Sequence, residues 1–340
     1  MLVLGCVTHT NPFTDARGRV VPRSIAVMTD HVIGGVRQRL WFRGVDVTKP
    51  AIVLLHGGPG ASEAALFRHF NADLEREALM VYWEQRGAGR SYSNDIPAES
   101  MTIAQFVNDL NEVVDLVRHR FQKNRVVLLG HSWGTALGIL YTARFPEKVA
   151  VYVGVGQVAD MPEGERLSYE FARAEARRRR NGRALGQLVA IGPPPHSVDA
   201  MLTSRKWVER FGGSFHGELS TGKLIWSALR TDEANLWDLI KFGQGNHFSL
   251  QHLWHEFRAF DIDETRLSFD APIVFMLGRY DWQVPSVVAA RYFERIKAPT
   301  KQLVWFEHSA HNPPFEEPSA FNDAVAGILA KLDGQTTRND

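Results

Sequence analysis

The stretch VVLLGHSWGTALG, Val126–Gly138, decides how this chain is read. Its first half is β-branched and aliphatic, as in a buried strand, while the residues after it, through TALGILYTARFPEK, repeat apolar side chains at helical spacing. Ser132 therefore sits where a strand turns into a helix, between Gly130 and Gly134. The pentad fits the G-x-S-x-G pattern, in which a sharp turn strains the serine backbone and exposes its hydroxyl above the sheet. Side chains in place of the glycines would collide with the neighbouring strand and helix. Five letters also occur at ordinary turns, and the strand-turn-helix context is what favours a nucleophile.

Working outward, SIAVMTDHVI, VRQRLWFRG, AIVLLHGG and LMVYWEQRG read as strands, the first two joined by a hairpin at Ile33–Gly35. A helical stretch, MTIAQFVNDLNEVVDLVRHRF, leads to the Ser132 strand and its helix, and VAVYVGVG is a further buried strand. Alternating β and α implies a mostly parallel sheet with helices on both faces. From about Gln157 to Asp270 the character changes: LSYEFARAEARRRRNGRALGQLVA reads as one helix, and aromatic-rich helical pieces follow around Trp207, Trp226, Trp237 and Trp254. Strands resume with PIVFMLGRYD and KQLVWFEHSAH, separated by the helix-like SVVAARYFERIK. The expected organisation is an α/β core, 1–156 and 271–340, interrupted by a helical cap, 157–270.

A chain of 340 residues suits one large α/β domain with an insertion. With 39 basic and 38 acidic side chains the net charge is +1, which gives no reason to expect nucleic acid or an anionic membrane as partner. The single cysteine, Cys6, cannot form an internal disulfide, and a cytoplasmic protein is expected. The opening MLVLGC has no basic start and too short an apolar core for a lipoprotein signal. No later segment offers the ~18 consecutive apolar residues of a membrane span.

A serine hydroxyl is a weak nucleophile at neutral pH and needs a base, which needs an orienting acid. In this class the order along the chain is Ser, acid, His. Asp281 ends the strand PIVFMLGRYD and His311 follows the last strand, both at carboxyl ends, where open α/β sheets place their sites. His308 competes for the base role but falls close to the strand, whereas HNPPF ends regular structure and can return the His311 imidazole over the sheet. Asp270 precedes its strand and would lie at the wrong end. HGGPG, His56–Gly60, supplies a glycine turn whose backbone can approach a substrate. The Gly58 N–H, with the Trp133 N–H from the residue after the serine, is expected to form an oxyanion hole.

Together these residues resemble the α/β-hydrolase fold, and more narrowly the proline iminopeptidase-like serine hydrolases. The motifs carrying the likeness are HGGPG, WEQRGAGRS (Trp83–Ser91), GHSWG, GRYD (Gly278–Asp281) and SAH, which span the core at both ends but not the cap. The resemblance implies an eight-stranded, mostly parallel sheet with a helical cap. It also implies removal of an N-terminal residue, often proline, from a peptide, with cap carboxylates holding the free amine. Two departures stand out: Glu84 replaces the usual Asp, and His131 stands where Gly is common. The motifs do not place the amine-binding carboxylates; Glu256 and Asp238 are candidates, and Trp282 is a candidate for narrowing the pocket.

The leading expectation is thus a serine hydrolase without metal or organic cofactor, acting on a small molecule or short peptide through an acyl-enzyme. Aminopeptidase and esterase or amidase activity both remain open, as does a catalytically silent binding protein on the same fold. Haloalkane dehalogenase or epoxide hydrolase chemistry would need an aspartate where Ser132 stands, and no H-E-x-x-H spacing suggests a metal site. The run ARRRRNG, Ala176–Gly182, is expected to be a solvated helix end.

Overall fold

A computed structural model describes residues 9–262 and 265–336; the MLVLGC opening lies outside the described residues. The chain begins with the hairpin β1 (Ile25–Ile33) and β2 (Val36–Gly44), then β3 (Ala51–Leu55), the short helices α1 (Ala64–Phe70) and α2 (Leu74–Glu77), and β4 (Leu79–Glu84). Next come α3 (Ile103–Arg120), β5 (Val126–His131), α4 (Trp133–Arg144) and β6 (Val149–Val155). Five helices follow: α5 (Met161–Arg178), α6 (Gly182–Ile191), α7 (Val198–Arg210), α8 (Thr221–Ala228) and α9 (Leu236–Phe257). The chain returns through β7 (Ile273–Gly278), α10 (Ser286–Arg295), β8 (Lys301–Phe306), α11 (Pro313–Glu316) and α12 (Pro318–Thr336).

Among the described residues eight strands form one sheet in the order β1-β2-β4-β3-β5-β6-β7-β8. β1, β2 and β4 are antiparallel neighbours, and all other pairs are parallel. After β4 the chain crosses back over β3 to lay β5 on its other side. Strand order therefore reverses between β3 and β5, the place where an open sheet leaves a crevice at its carboxyl edge. Leu55 pairs with Gly130, so the HGGPG turn and the Ser132 turn leave the sheet side by side.

The continuous apolar runs reflect burial on both faces. On β5, Val126 and Leu128 join one apolar layer, with Phe106 of α3, Leu137 of α4 and Tyr292 of α10. Val127 and Leu129 point into the other, with Phe67 of α1 and Phe321 and Ile328 of α12. The helices α5, α6 and α7 form a satellite cluster around Tyr169, Leu188 and Trp207.

One expectation needs correcting. The segment read as a single helix from Leu167 to Ala190 breaks into α5 and α6: Arg180 takes φ 52°, and the Asn181 side chain caps the next helix by accepting from Ala184 N–H. The local preference of Asn for caps outweighs the continuing apolar period. Two of the four tryptophans flagged in this region, Trp207 and Trp254, are core, whereas Trp226 and Trp237 are more than half exposed. No helix among the described residues is long and apolar enough to cross a membrane.

A buried ion pair fastens the sheet to α3. Arg86, just past β4, donates from Nε and Nη2 to both oxygens of Asp109, at 2.9 and 3.0 Å, and Gln38 and Gln105 donate to the same carboxylate at 2.7 Å each. Both charged side chains are essentially inaccessible. Removing one partner leaves the other charge buried alone, so Asp109→Ala is expected to cost about 3–5 kcal/mol in chemical denaturation. A loss below about 1 kcal/mol would show that water replaces the carboxylate.

Candidate active site

The β5–α4 turn is built on missing side chains. A Cβ on Gly134 would lie 2.0 Å from Leu55 O, and one on Gly130 would lie 2.8 Å from Gly134 O. Ser132 adopts φ 52° and ψ −119°, a left-handed conformation costly for a residue with a Cβ. It is held there because Ser132 N–H donates to Val155 O at 2.9 Å, while Ser132 O accepts from Thr135 N–H at 2.8 Å. The serine is half-buried, unlike its buried neighbours on either side.

Asp281 and His311 meet at the carboxyl ends of β7 and β8. The imidazole Nδ1 lies 2.7 Å from Asp281 Oδ2, and Asp281 Oδ1 accepts N–H bonds from Gln283 and Val284 at 2.9 and 2.8 Å. The acid is thus fixed from both sides and paired with Nδ1. His311 Nε2 is buried and bonds to no group among the described residues. The ring lies against the strand next to the serine: a Cβ on Gly156, the residue after Val155, would sit 3.0 Å from its Cε1. His308 is exposed, with its N–H turned to Glu317, and Asp270 is exposed before β7.

The glycine turn lies across from the serine, and a Cβ on Gly57 would stand 3.4 Å from Ser132 Cβ. Gly58 has φ 121°, a conformation suited to glycine. Gln85 ties the two turns together: its Oε1 accepts from Trp133 Nε1–H at 2.9 Å, and its Nε2–H donates to His56 O at 3.1 Å. Glu84 accepts from Trp41 Nε1–H at 2.7 Å and from Arg90 N–H at 2.6 Å, and burial pushes its carboxyl up. The Glu for Asp replacement is therefore a scaffold residue.

The helical insertion grips this corner at several points. Asn246 of α9 donates to Pro59 O at 2.8 Å, and α9 lies so close that a Cβ on Gly245 would meet Gly87 O at 2.6 Å. Gly213 O accepts from Trp282 N–H and Gln283 N–H, and Ser214 O accepts from His311 N–H and Asn312 Nδ2–H. Trp282 stacks on Phe171 of α5 at 4.9 Å and is not among the residues lining the cavity between α1, α8 and α9. Glu256 is exposed and accepts from Ile103 N–H, while Asp238 forms a two-pronged bridge with Arg90 at 2.7 Å per contact.

A cavity of about 230 Å³ opens between the first residues of α1, the 84–90 turn and helices α8 and α9. Its walls are mainly apolar, including Leu66, Leu224, Ile225 and Phe242, with Glu63 and Asp238 among its polar groups. Among the described residues no group of three His, Cys, Asp or Glu side chains is arranged to hold a metal ion.

Sequence reasoning did not find Glu63 or Glu316. Glu316, on α11, accepts from His216, Ala310 and Asn312 N–H groups at 2.5, 3.0 and 2.9 Å. It clasps the residues flanking His311 and joins them to the insertion. A cluster of backbone N–H groups around a looped histidine calls for such an acceptor, but nothing in the spacing says which acid supplies it.

A family model described as alpha/beta hydrolase fold matches residues 50–318. The chain is 34% identical over 307 residues to a probable aminopeptidase, YbaC, of Bacillus subtilis (strain 168), covering 89% of this chain and 96% of that protein. It is 31% identical to the proline iminopeptidase of Neisseria gonorrhoeae, covering 88% and 95% of the two chains. The crystal structure of the Mycobacterium smegmatis proline iminopeptidase superposes with a TM-score of 0.67 at 18% identity, covering 91% of this chain and all, 100%, of that one.

Burial pushes the Glu316 carboxyl up to about 7, against three N–H donors that favour its charged form. A carboxyl raised on folding binds more protons in the native state between its unfolded and folded values, so its contribution to stability falls as pH rises through that window. Relative to Glu316→Gln, the wild type is expected to gain on the order of 1–2 kcal/mol between pH 8 and pH 5.5. Parallel stability curves for the two proteins in urea would refute this.

Proposed function

The chain belongs to the alpha/beta hydrolase family and is a hydrolase, and from that premise we propose that it cleaves esters or amides through Ser132, His311 and Asp281. The observation that carries the reading is the buried Asp281–His311 hydrogen bond, with Nε2 bonded to no group among the described residues and the ring packed against Gly156, next to the Val155 carbonyl that holds the strained serine. On this reading Ser132 Oγ adds to the substrate carbonyl carbon and its proton passes to His311 Nε2. The oxygen becomes an oxyanion, met by the Gly58 and Trp133 N–H groups. The bond to the leaving amine or alcohol breaks as His311 returns the proton, giving an acyl-serine. Water then repeats the sequence and frees the acid. Asp281 holds the imidazole in the reactive tautomer and stabilises its charged form.

The substrate is a small molecule or short peptide, and residues 157–270 act as a lid over the α/β core of 1–156 and 271–340. The names of the relatives support an aminopeptidase of the proline iminopeptidase type. One observation favours the second reading, an esterase or amidase for an apolar small molecule: the two candidate carboxylates for a free amine are already engaged, Glu256 with Ile103 N–H and Asp238 with Arg90.

A panel of aminoacyl arylamides beside p-nitrophenyl esters separates these readings. Proline arylamide turnover that depends on the free amine establishes the first; ester turnover without arylamide turnover establishes the second. In either case Ser132→Ala is expected to lower kcat by at least about 10⁴-fold, and Asp281→Asn by about 10³- to 10⁴-fold, on losses seen for serine triads. Activity retained in Ser132→Ala refutes the mechanism.

A further inference from the structure

The serine turn contains one buried ionic group that the reaction above does not use. His131 immediately precedes Ser132, and both its ring nitrogens are engaged. Nε2 lies 3.0 Å from His311 O; a carbonyl only accepts, so Nε2 carries hydrogen. Nδ1 lies 2.7 Å from Glu63 Oε1. The other oxygen, Oε2, accepts Gly57 N–H at 2.9 Å, which favours a carboxylate and leaves the second ring hydrogen on His131. Both side chains are almost fully buried, at 2% and 10% exposure. Burial alone would lower the His131 pKa and raise that of Glu63, but their mutual attraction and hydrogen bonding reverse both directions.

The three anchors of this pair lie in separate segments. Gly57 adjoins Gly58 in the turn after β3, His131 ends β5, and His311 sits in the loop after β8. Resting on the reading of Ser132, His311 and Gly58 as reacting groups, we propose that Glu63 and His131 are positioning residues, a carboxylate–imidazolium pair that locks the oxyanion turn, the serine turn and the histidine loop in one register. The His131 and His311 rings also lie close together, with centroids 5.2 Å apart.

Other titratable groups at this corner are Asp281 after β7, Glu316 on α11 and His56 after β3. His56 accepts from Gln85 N–H through Nε2 and is paired through Nδ1 with Gly57 O, an arrangement that requires a neutral ring. It therefore adds no competing charge.

Two variants separate shape from charge. A glutamine side chain in place of Glu63 can retain the Gly57 bond and donate to Nδ1, leaving a neutral His131 that still holds His311 O. Glu63→Gln is therefore expected to lower kcat only about 3- to 10-fold, less than loss of the whole contact, because the hydrogen bonds survive and only the ionic part of the lock is lost. His131→Ala removes both bonds and is expected to lower kcat about 10- to 100-fold with KM within about threefold, from misplacement of reacting groups. The double variant should be no worse than His131→Ala, as for two members of one unit. Each is compared with wild type for circular dichroism and thermal midpoint. Folded variants with kcat within about twofold of wild type would overturn the proposal, as would additive losses. Nitrogen-15 NMR of the histidines gives a readout independent of turnover: His131 should carry two N–H groups at pH 8 in the wild type and one in Glu63→Gln. A neutral wild-type ring at that pH overturns the pair even if turnover changes. If Ser132→Ala keeps activity, the reading of the reacting groups fails, and NMR still decides the pair.

Discussion

At the start of α4 the backbones of two elements touch, because a Cβ on Gly134 would lie 2.0 Å from Leu55 O. No other residue type fits such an approach without moving β3. The closeness brings the serine turn beside the glycine turn, since both leave neighbouring strands at the point where strand order reverses. It also accounts for the strained φ of Ser132: the chain must turn within one residue to begin a helix already pressed against the sheet. The surrounding hydrogen bonds over-determine that conformation, which is how a strained residue persists.

The loops bearing Asp281 and His311 have little regular structure of their own to fix them. Their register comes from the insertion and from α11. Carbonyls of Gly213 and Ser214 receive N–H groups from both loops, and Glu316 joins the histidine loop to His216. A segment far away in sequence thus serves as the common strut for both residues. If the helical insertion moves as a lid, as proposed, the strut must either stay behind or carry the two loops with it. Gly212, at φ 90°, lies at the junction between α7 and this strut, where glycine tolerates the change in direction.

Much of this was legible in the sequence because it is local. The alternation of apolar runs marks the strands, the glycines mark the two turns, and the order of Ser132, Asp281 and His311 follows from which strand each one ends. Features that depend on tertiary partners were not. Glu63 reads as an ordinary acid near a helix start, and only its burial against His131 and Gly57 shows that it bridges two turns. Trp207 and Trp226 occupy similar aromatic-rich helices, yet one is core and the other mostly exposed. A helical period cannot say which face meets another helix. The break between α5 and α6 lay within reach, since Asn181-Gly182 is a stop and restart signal, but the apolar period on either side masked it.

The buried charges follow a consistent pattern. Arg86 with Asp109 fixes β4 to α3, Arg43 and Arg68 converge on Glu75, and Glu63 meets His131 under the serine turn. Taking such groups from water costs several kcal/mol per ion, and good pairing offsets that cost without much net gain in stability. What each pair supplies is intolerance of alternatives, because a shift of one partner by a residue leaves a buried charge exposed to nothing that can neutralise it. Apolar packing around β3 and β5 would accept small slips of the two turns; the ionic pair does not. In the proposed mechanism, where acceleration depends on donors already aimed at a developing oxyanion, that intolerance is the useful property, since dipoles held in place need no reorganisation as charge develops.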